Sequence, residues 1–254
     1  MRLIVLGSGT AIPLNYMASP SLALTIDGRL ILLDMGPGTL RQMARAGLNH
    51  ENIEKVFLTH FHPDHTADIV HFLFTTKNPS TISKRAPFSI SGARGLNSFI
   101  AGLQAAFGQW LTLPPGLMNL EEFNAGEMTK KDYPGFKVIA GPTEHTEASL
   151  AYRIENRAGK SIVYSGDTGY CETIIELARG SDLLVLEASF PEGCEVEGHL
   201  TPSQAGQIAS LAGVNLLLLV HFYPECLRSE IVAQCRLNYS GELILGSDLL
   251  EIVV

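Results

Sequence analysis

Short apolar runs alternate with longer stretches of helical pattern along this chain. Arg2 to Leu6 reads as a buried strand that ends in the tight turn Gly7-Ser8-Gly9-Thr10. Ser21 to Ile26 and Arg29 to Leu33 flank Asp27-Gly28, the strongest short-range hairpin signal. Asp34-Met35-Gly36-Pro37-Gly38 leads into a predicted helix over Thr39 to Ala46, closed by Gly47. A strand over Lys55 to Leu58, a polar loop and a helix near Asp68 to Phe74 follow. Pro87 to Ile90 predicts a short strand and Ala93 to Phe107 a helix. Gln109 to Met118, with Trp110 and Pro114-Pro115, has no period and predicts a surface loop.

The second half repeats the layout. Phe136 to Ala140, Ser149 to Ile154 and Ser161 to Tyr164 predict strands. Then come a helix Glu172 to Ala178, a strand Leu183 to Leu186, a helix Pro202 to Ala212 and a strand Leu216 to Val220. The chain closes with a helix near Arg228 to Cys235, a strand Leu243 to Leu245, and Leu249 to Val254. Both halves begin β-rich and then alternate strand with helix. Their local sequences do not repeat, so the expected symmetry is architectural. Strands inside and helices outside predict an α/β fold of two stacked sheets with helical faces. No Pro-, Gly- or Ser-rich linker interrupts the pattern, and one domain over residues 1–254 is expected.

Composition narrows the class. The hydrophobic fraction of 46% and charged fraction of 17% fit a packed core rather than a disordered chain. A net charge of -8 gives no global electrostatic footprint for nucleic acid, although it leaves room for a locally positive cleft. The four cysteines form no C-x-x-C pair and predict reduced thiols in a cytoplasmic protein. Met1 to Leu6 is too short an apolar run for a signal segment, and Leu216 to Val220 is too short to span a bilayer. No membrane partner is expected.

The candidate chemistry sits in Thr59-His60-Phe61-His62-Pro63-Asp64-His65, which places three imidazoles and a carboxylate in one loop. These donors suit Zn²⁺ and its borderline neighbours. Further candidates follow downstream: His145, Asp167, His199 and His221, each just after a strand or just before a helix. Of the eight histidines, only His50 and His71 fall outside this set. Taken singly, such a histidine is more often a hydrogen-bonded side chain, and Asp167 beside Gly166 a turn residue. The ordered set is what points to metal.

The pattern H-x-H-x-D-H resembles the signature of the metallo-β-lactamase superfamily. Leu33-Asp34-Met35-Gly36, the His60 loop, His145, Ser165-Gly166-Asp167-Thr168, Glu187-Ala188-Ser189-Phe190, His199-Leu200-Thr201 and His221-Phe222 run in the order of its ribonuclease Z branch. The resemblance covers nearly the whole chain and implies a four-layer αβ/βα sandwich with a binuclear centre where the sheets meet. By resemblance, His60, His62 and His145 bind one metal, Asp64, His65 and His221 bind the second, and Asp167 bridges them. Asp34 orients a ligand imidazole. Asp64 is also a candidate base for the attacking water, although ligation weakens it. His199 is left free to donate a proton or bind a phosphoryl oxygen. Glu187 fits either an orienter of His199 or a buried strand-end carboxylate. Zn²⁺ is the first expectation for the two divalent ions, with Mn²⁺ and Fe²⁺ also accommodated.

The chain departs from that branch in one respect. Ribonuclease Z enzymes carry a long glycine- and basic-rich arm between the positions of His145 and Asp167, and it grips the tRNA elbow. Here that interval holds only two strands and the turn Asn156-Arg157-Ala158-Gly159. Lys77 with Lys84-Arg85 is read as a solvated loop rather than a replacement arm, and Gln109 to Met118 as either a pocket wall or a plain loop. The expectation is therefore a dinuclear phosphodiesterase acting on a small or cyclic phosphodiester. The alternatives are tRNA 3′-processing by an armless enzyme, aided by a homodimer partner, hydrolysis of a lactone, thioester or sulfate ester, and a non-hydrolytic metal-binding accessory role.

Overall fold

A computed structural model describes residues 1–254. The first half runs β1 (Arg2–Gly7), β2 (Ser21–Ile26), β3 (Arg29–Leu33), α1 (Thr39–Arg45), β4 (Ile53–Phe57), α2 (Pro63–Thr66), α3 (Asp68–Thr76), α4 (Pro79–Ile82), β5 (Phe88–Ala93), α5 (Leu96–Phe107) and β6 (Met118–Phe123). The second half runs β7 (Thr129–Tyr133), β8 (Phe136–Pro142), β9 (Leu150–Asn156), β10 (Ser161–Tyr164), α6 (Glu172–Ala178), β11 (Leu183–Glu187), α7 (Pro202–Ala212), β12 (Leu216–Val220), α8 (Pro224–Leu227), α9 (Ile231–Arg236), β13 (Glu242–Leu245) and β14 (Glu251–Val253).

The strands form two seven-stranded sheets, ordered β14-β1-β2-β3-β4-β5-β6 and β13-β12-β11-β10-β9-β8-β7. Each half starts as an antiparallel meander, β1-β2-β3 or β7-β8-β9-β10. Each then continues in parallel, β3 to β6 or β10 to β13. The symmetry expected of the two halves is therefore present in the sheet topology. β14 breaks it by returning to pair antiparallel with β1.

Period-two alternation sorts the strand side chains into separate apolar interfaces. In β1, Leu3 and Val5 enter the core between the sheets, while Ile4 and Leu6 face α1, α3 and α5. In β11, Leu183 and Val185 enter the shared core, while Leu184 and Leu186 face α6, α7 and α9. Three apolar interfaces thus separate four layers, helix, sheet, sheet and helix. Strands buried on both faces read as unbroken apolar runs, as β12 does.

Several sequence expectations need correction. Ala93 ends β5 rather than starting a helix, because Gly95 turns the chain at φ 106° and α5 begins at Leu96. β6 and β7 carry Met-Asn-Leu-Glu-Glu-Phe and Thr-Lys-Lys-Asp-Tyr, with no apolar run to announce them. Both are edge strands, where charged side chains prevent pairing with other chains. The helix expected near Arg228 to Cys235 is instead two short helices, α8 and α9. Arg85 belongs to no solvated loop. It is buried and donates to the carbonyls of His50, Glu51 and Ile53, tying α4 to the start of β4. The four cysteines are unpaired. No helix is long and apolar enough to cross a membrane.

Two glycines fit the site loops together. A Cβ on Gly36 would lie 2.0 Å from the carbonyl oxygen of Asp64, and one on Gly166, at φ 58°, would lie 2.5 Å from Cβ of Thr59. Overpacking against backbone costs about 1–3 kcal/mol or more. Gly36→Ala is expected to destabilise the fold by at least about 2 kcal/mol in urea unfolding and to weaken metal binding in the surviving folded fraction. Unchanged stability and metal affinity would show that the two loops are not packed this tightly.

Candidate metal centre

The strand ends of both sheets carry the expected donors to one edge of the sandwich. The loop after β4 brings His60, His62, Asp64 and His65. The loops after β8, β10 and β12 bring His145, Asp167 and His221, and the segment between β11 and α7 brings His199. Donor atoms of His60, His62, His145 and Asp167 all lie within 4.8 Å of one another, as do those of Asp64, His65 and His221. All seven residues expected as ligands therefore converge, in the two groups expected.

Asp167 stands between the groups and offers one oxygen to each. Its Oδ2 lies 3.9 Å from His60 Nε2 and 3.8 Å from His145 Nε2. Its Oδ1 lies 3.1 Å from His65 Nε2 and 3.4 Å from His221 Nε2. Asp64 Oδ2 lies 3.8 Å from His65 Nε2 and 3.7 Å from His221 Nε2. Yet His60 Nε2, His65 Nε2, His221 Nε2 and Asp167 Oδ1 are buried with no hydrogen-bond partner. An unsatisfied buried polar group costs about 1–3 kcal/mol. Four such atoms aimed at one space fit a divalent cation, which removes that cost.

The back of each imidazole is held as firmly as its front is open. Asp34, fully buried at the end of β3, accepts from His65 Nδ1 at 2.7 Å, from Tyr164 Oη at 2.9 Å, and from Thr59 N and Oγ1 at 2.7 and 2.8 Å. The Thr59 proton is thereby committed to Asp34. Its oxygen therefore accepts from His60 Nδ1, 3.0 Å away. Glu187 repeats this arrangement on the other sheet. Its Oε1 accepts from His199 Nδ1 at 2.9 Å, and its Oε2 accepts from Ser189 Oγ at 2.5 Å. Ser189 in turn accepts from His221 Nδ1 at 2.9 Å. His145 Nδ1 donates to the carbonyl of Gly198 at 2.9 Å. Each of these bonds leaves Nε2 as the bare nitrogen, the role that partners behind a ligand imidazole serve.

The sequence reading assigned no role to Thr59, Ser189 or Tyr164. Thr59 and Ser189 lie inside the quoted motifs, but a hydroxyl relay leaves no mark in spacing. Glu187 proves to be both things considered for it. It is a buried strand-end carboxylate that also receives the backbone N–H groups of Thr168, Ser189 and Leu200, and it orients His199. Asp34 and His221 have φ of 60° and 62°, left-handed values for residues with side chains. Both strained positions belong to the centre.

Charge and burial set the protonation of the side chains by themselves. Burial opposes a charge on His65, but Asp167 and Asp34 outweigh it and hold the imidazolium well above the usual range. Burial, followed by repulsion from His65, pushes His60 well below its usual range. Burial opposes ionisation of Asp167, yet His221, His65 and His60 hold it well below the usual carboxylate range. Burial likewise disfavours a charge on His199, but the hydrogen bond and charge of Glu187 raise it above its ordinary value.

Known proteins supply a comparison. A model described as the β-lactamase superfamily domain matches residues 29–222. A ribonuclease Z of Methanothermobacter thermautotrophicus is 26% identical, covering all of this chain and 97% of its own length. That alignment runs over 305 positions against the 254 residues here, so the relative has segments that this chain lacks. The metallo-β-lactamase fold protein YhfI from Bacillus subtilis superposes with a TM-score of 0.84 at 21% identity, covering 99% of this chain and 98% of its own. The short form of human tRNase Z gives a TM-score of 0.81 at 24% identity, covering 100% and 99%.

The protonation pattern yields a signed prediction. A ligand imidazole must be neutral, so below the raised pKa of His65 a metal must displace its proton. Affinity should then weaken by about tenfold per unit as pH falls through about 8 to 6, measured by competition with a chromophoric chelator. Affinity independent of pH over that range would contradict the assignment of His65.

Proposed function

Because the chain belongs to the β-lactamase superfamily, in the ribonuclease Z-like branch of metallo-β-lactamase folds, we propose that it is a two-metal phosphodiesterase that cleaves RNA. Family membership makes it a metal-dependent hydrolase, and the finer reading is ours. The observation that carries it is the contrast between His199 and its neighbours. His60, His62, His65, His145 and His221 fall into the two donor groups, whereas His199 is paired with Glu187 beside them.

In this reading His60, His62 and His145 hold one ion, and Asp64, His65 and His221 hold the other, with Asp167 shared. Divalent cations bound there, zinc before manganese or iron, supply Lewis acidity and lower the pKa of a water. Asp64 stays ionised, because its contacts with His221 and His65 outweigh the burial that opposes its charge. His199 donates its Nε2 proton to the departing oxygen while Glu187 holds Nδ1. Glu187 touches no reacting atom and is a positioning residue. Ser189 extends the same support to His221.

RNA is favoured over a small phosphodiester by the names of the relatives. This shifts the weight away from the substrate expected from sequence. A small or cyclic phosphodiester remains the second reading, on a specific observation. Between β9 and β10, Asn156 Oδ1 caps the N–H groups of Ala158 and Lys160 in a closed turn, at the place where the resemblance locates the tRNA arm. Comparing kcat/KM on an RNA with a 3′ extension and on a 2′,3′-cyclic nucleotide tests the choice. Faster, salt-sensitive cutting of the RNA is expected. Preference for the cyclic nucleotide would install the second reading, and no turnover of either would sink both.

The role of His199 is tested separately. His199→Ala should keep its metal content while losing about 10²–10⁴-fold in turnover. The loss should shrink for aryl esters, whose leaving groups need no proton. A loss that tracks metal content would make His199 a ligand instead.

A further inference from the structure

A second cavity, of about 290 Å³, lies beside the metal centre and plays no part in the chemistry above. Its walls include Asn15 and Tyr16 from the loop after β1, Pro37 and Gly38, and Arg41 and Arg45 from α1. The backbone ties it to the centre. Ser8 O accepts from the N–H of His221 at 2.9 Å, and Gly36 packs against the carbonyl of Asp64. Substrate chain leaving the metals has this cavity as a neighbour.

The cavity is basic in an acidic protein. Many cations elsewhere are spent on carboxylates: Arg2 on Glu251, Arg29 on Glu54, Lys137 and Arg153 on Glu155, and Lys160 on Asp182. Arg41 and Arg45 are exposed one helical turn apart, and neither meets an acid. The nearby Asp248 does not neutralise them, because it already accepts from Ser8 N, Ser8 Oγ, Ala18 N and Gln42 Nε2.

Arg45 is also held in place. Gln42 is buried, its amide NH₂ donates to Leu6 O and Asp248, and its Oε1 accepts from Arg45 Nη1 at 2.7 Å. A guanidinium fixed this way loses little freedom on binding an anion. Tyr16 is 63% exposed on the same wall and offers an aromatic face.

We infer that this cavity is an anion subsite for a non-scissile phosphate of the substrate strand, with Arg41 and Arg45 as its cations and Tyr16 as the platform for the attached base. The inference rests on the RNA reading for its occupant. The chemistry recognised is a phosphodiester anion beside a stacked base, a pairing that single-stranded nucleic acid supplies. It provides local positive charge that the net charge of the chain hides.

The test is binding of a short fluorescent phosphorothioate oligoribonucleotide to the full-length, metal-loaded protein, followed by anisotropy against salt. The Arg41→Ala/Arg45→Ala double variant should bind about tenfold more weakly. Its salt slope should be shallower by about 1.4, since each lost single-strand phosphate contact removes about 0.7. Arg41→Lys/Arg45→Lys should keep the slope, and Tyr16→Ala should weaken binding without changing it. Hydrolysis of an aryl phosphodiester, which has no second phosphate, should be untouched in all of them.

Equal affinity and slope in the double variant would overturn the proposal. So would an equal loss on the aryl ester, which would mark a structural role. Displacement of the strand by inorganic phosphate well beyond chloride of equal ionic strength would assign the site to free phosphate instead. Arginine-dependent strand binding without RNA cleavage would keep the subsite and refute the proposed reaction.

Discussion

Everything at this edge of the sandwich depends on buried carboxylates whose lone pairs are fully used. Asp34 is inaccessible to solvent and takes four hydrogen bonds, from two loop atoms of Thr59, from His65, and from Tyr164. Tyr164 belongs to the second sheet, so this one side chain fixes the first-sheet loops against β10. A buried charge costs several kcal/mol when isolated and is tolerated when every lone pair is satisfied. Removing any donor would return part of that cost, which makes the arrangement self-enforcing.

Glu187 does for the second sheet what Asp34 does for the first. Each carboxylate holds one imidazole directly and a second through a hydroxyl: His65 and His60 for Asp34, His199 and His221 for Glu187. The similar topology of the two halves brings strand ends from both sheets to the same edge. Asp167 then sits where the two sets of bare nitrogens meet. The same hydrogen bonds that fold these loops choose the tautomers, so assembly of the fold and readiness for metal are one event. The left-handed backbone at Asp34 and His221 is strain that this bonding sustains.

Much of this was legible in the chain. Strands such as Leu216–Val220 announce themselves because burial on both faces demands continuous apolar residues. The seven convergent donors were legible because their residue types are scarce and their order resembles a known branch. What escaped was of two kinds. β6 and β7 are edge strands written in charged residues, and their partners lie far off in space rather than in pattern. The relays through Thr59 and Ser189 depend on which proton goes where, and a common hydroxyl residue carries no such mark. Arg85 misled for the converse reason. It looked like part of a surface basic run, but its aliphatic stem and guanidinium are buried over Phe72 and Phe88.

The central claim is that Asp167 holds two divalent ions, one at each oxygen. Anomalous diffraction from zinc-soaked crystals tests it most directly. The account predicts two peaks flanking the Asp167 carboxylate, one among His60, His62 and His145 and the other among Asp64, His65 and His221, with His199 ligating neither. A single peak at full loading, or a peak bonded to His199, would contradict it.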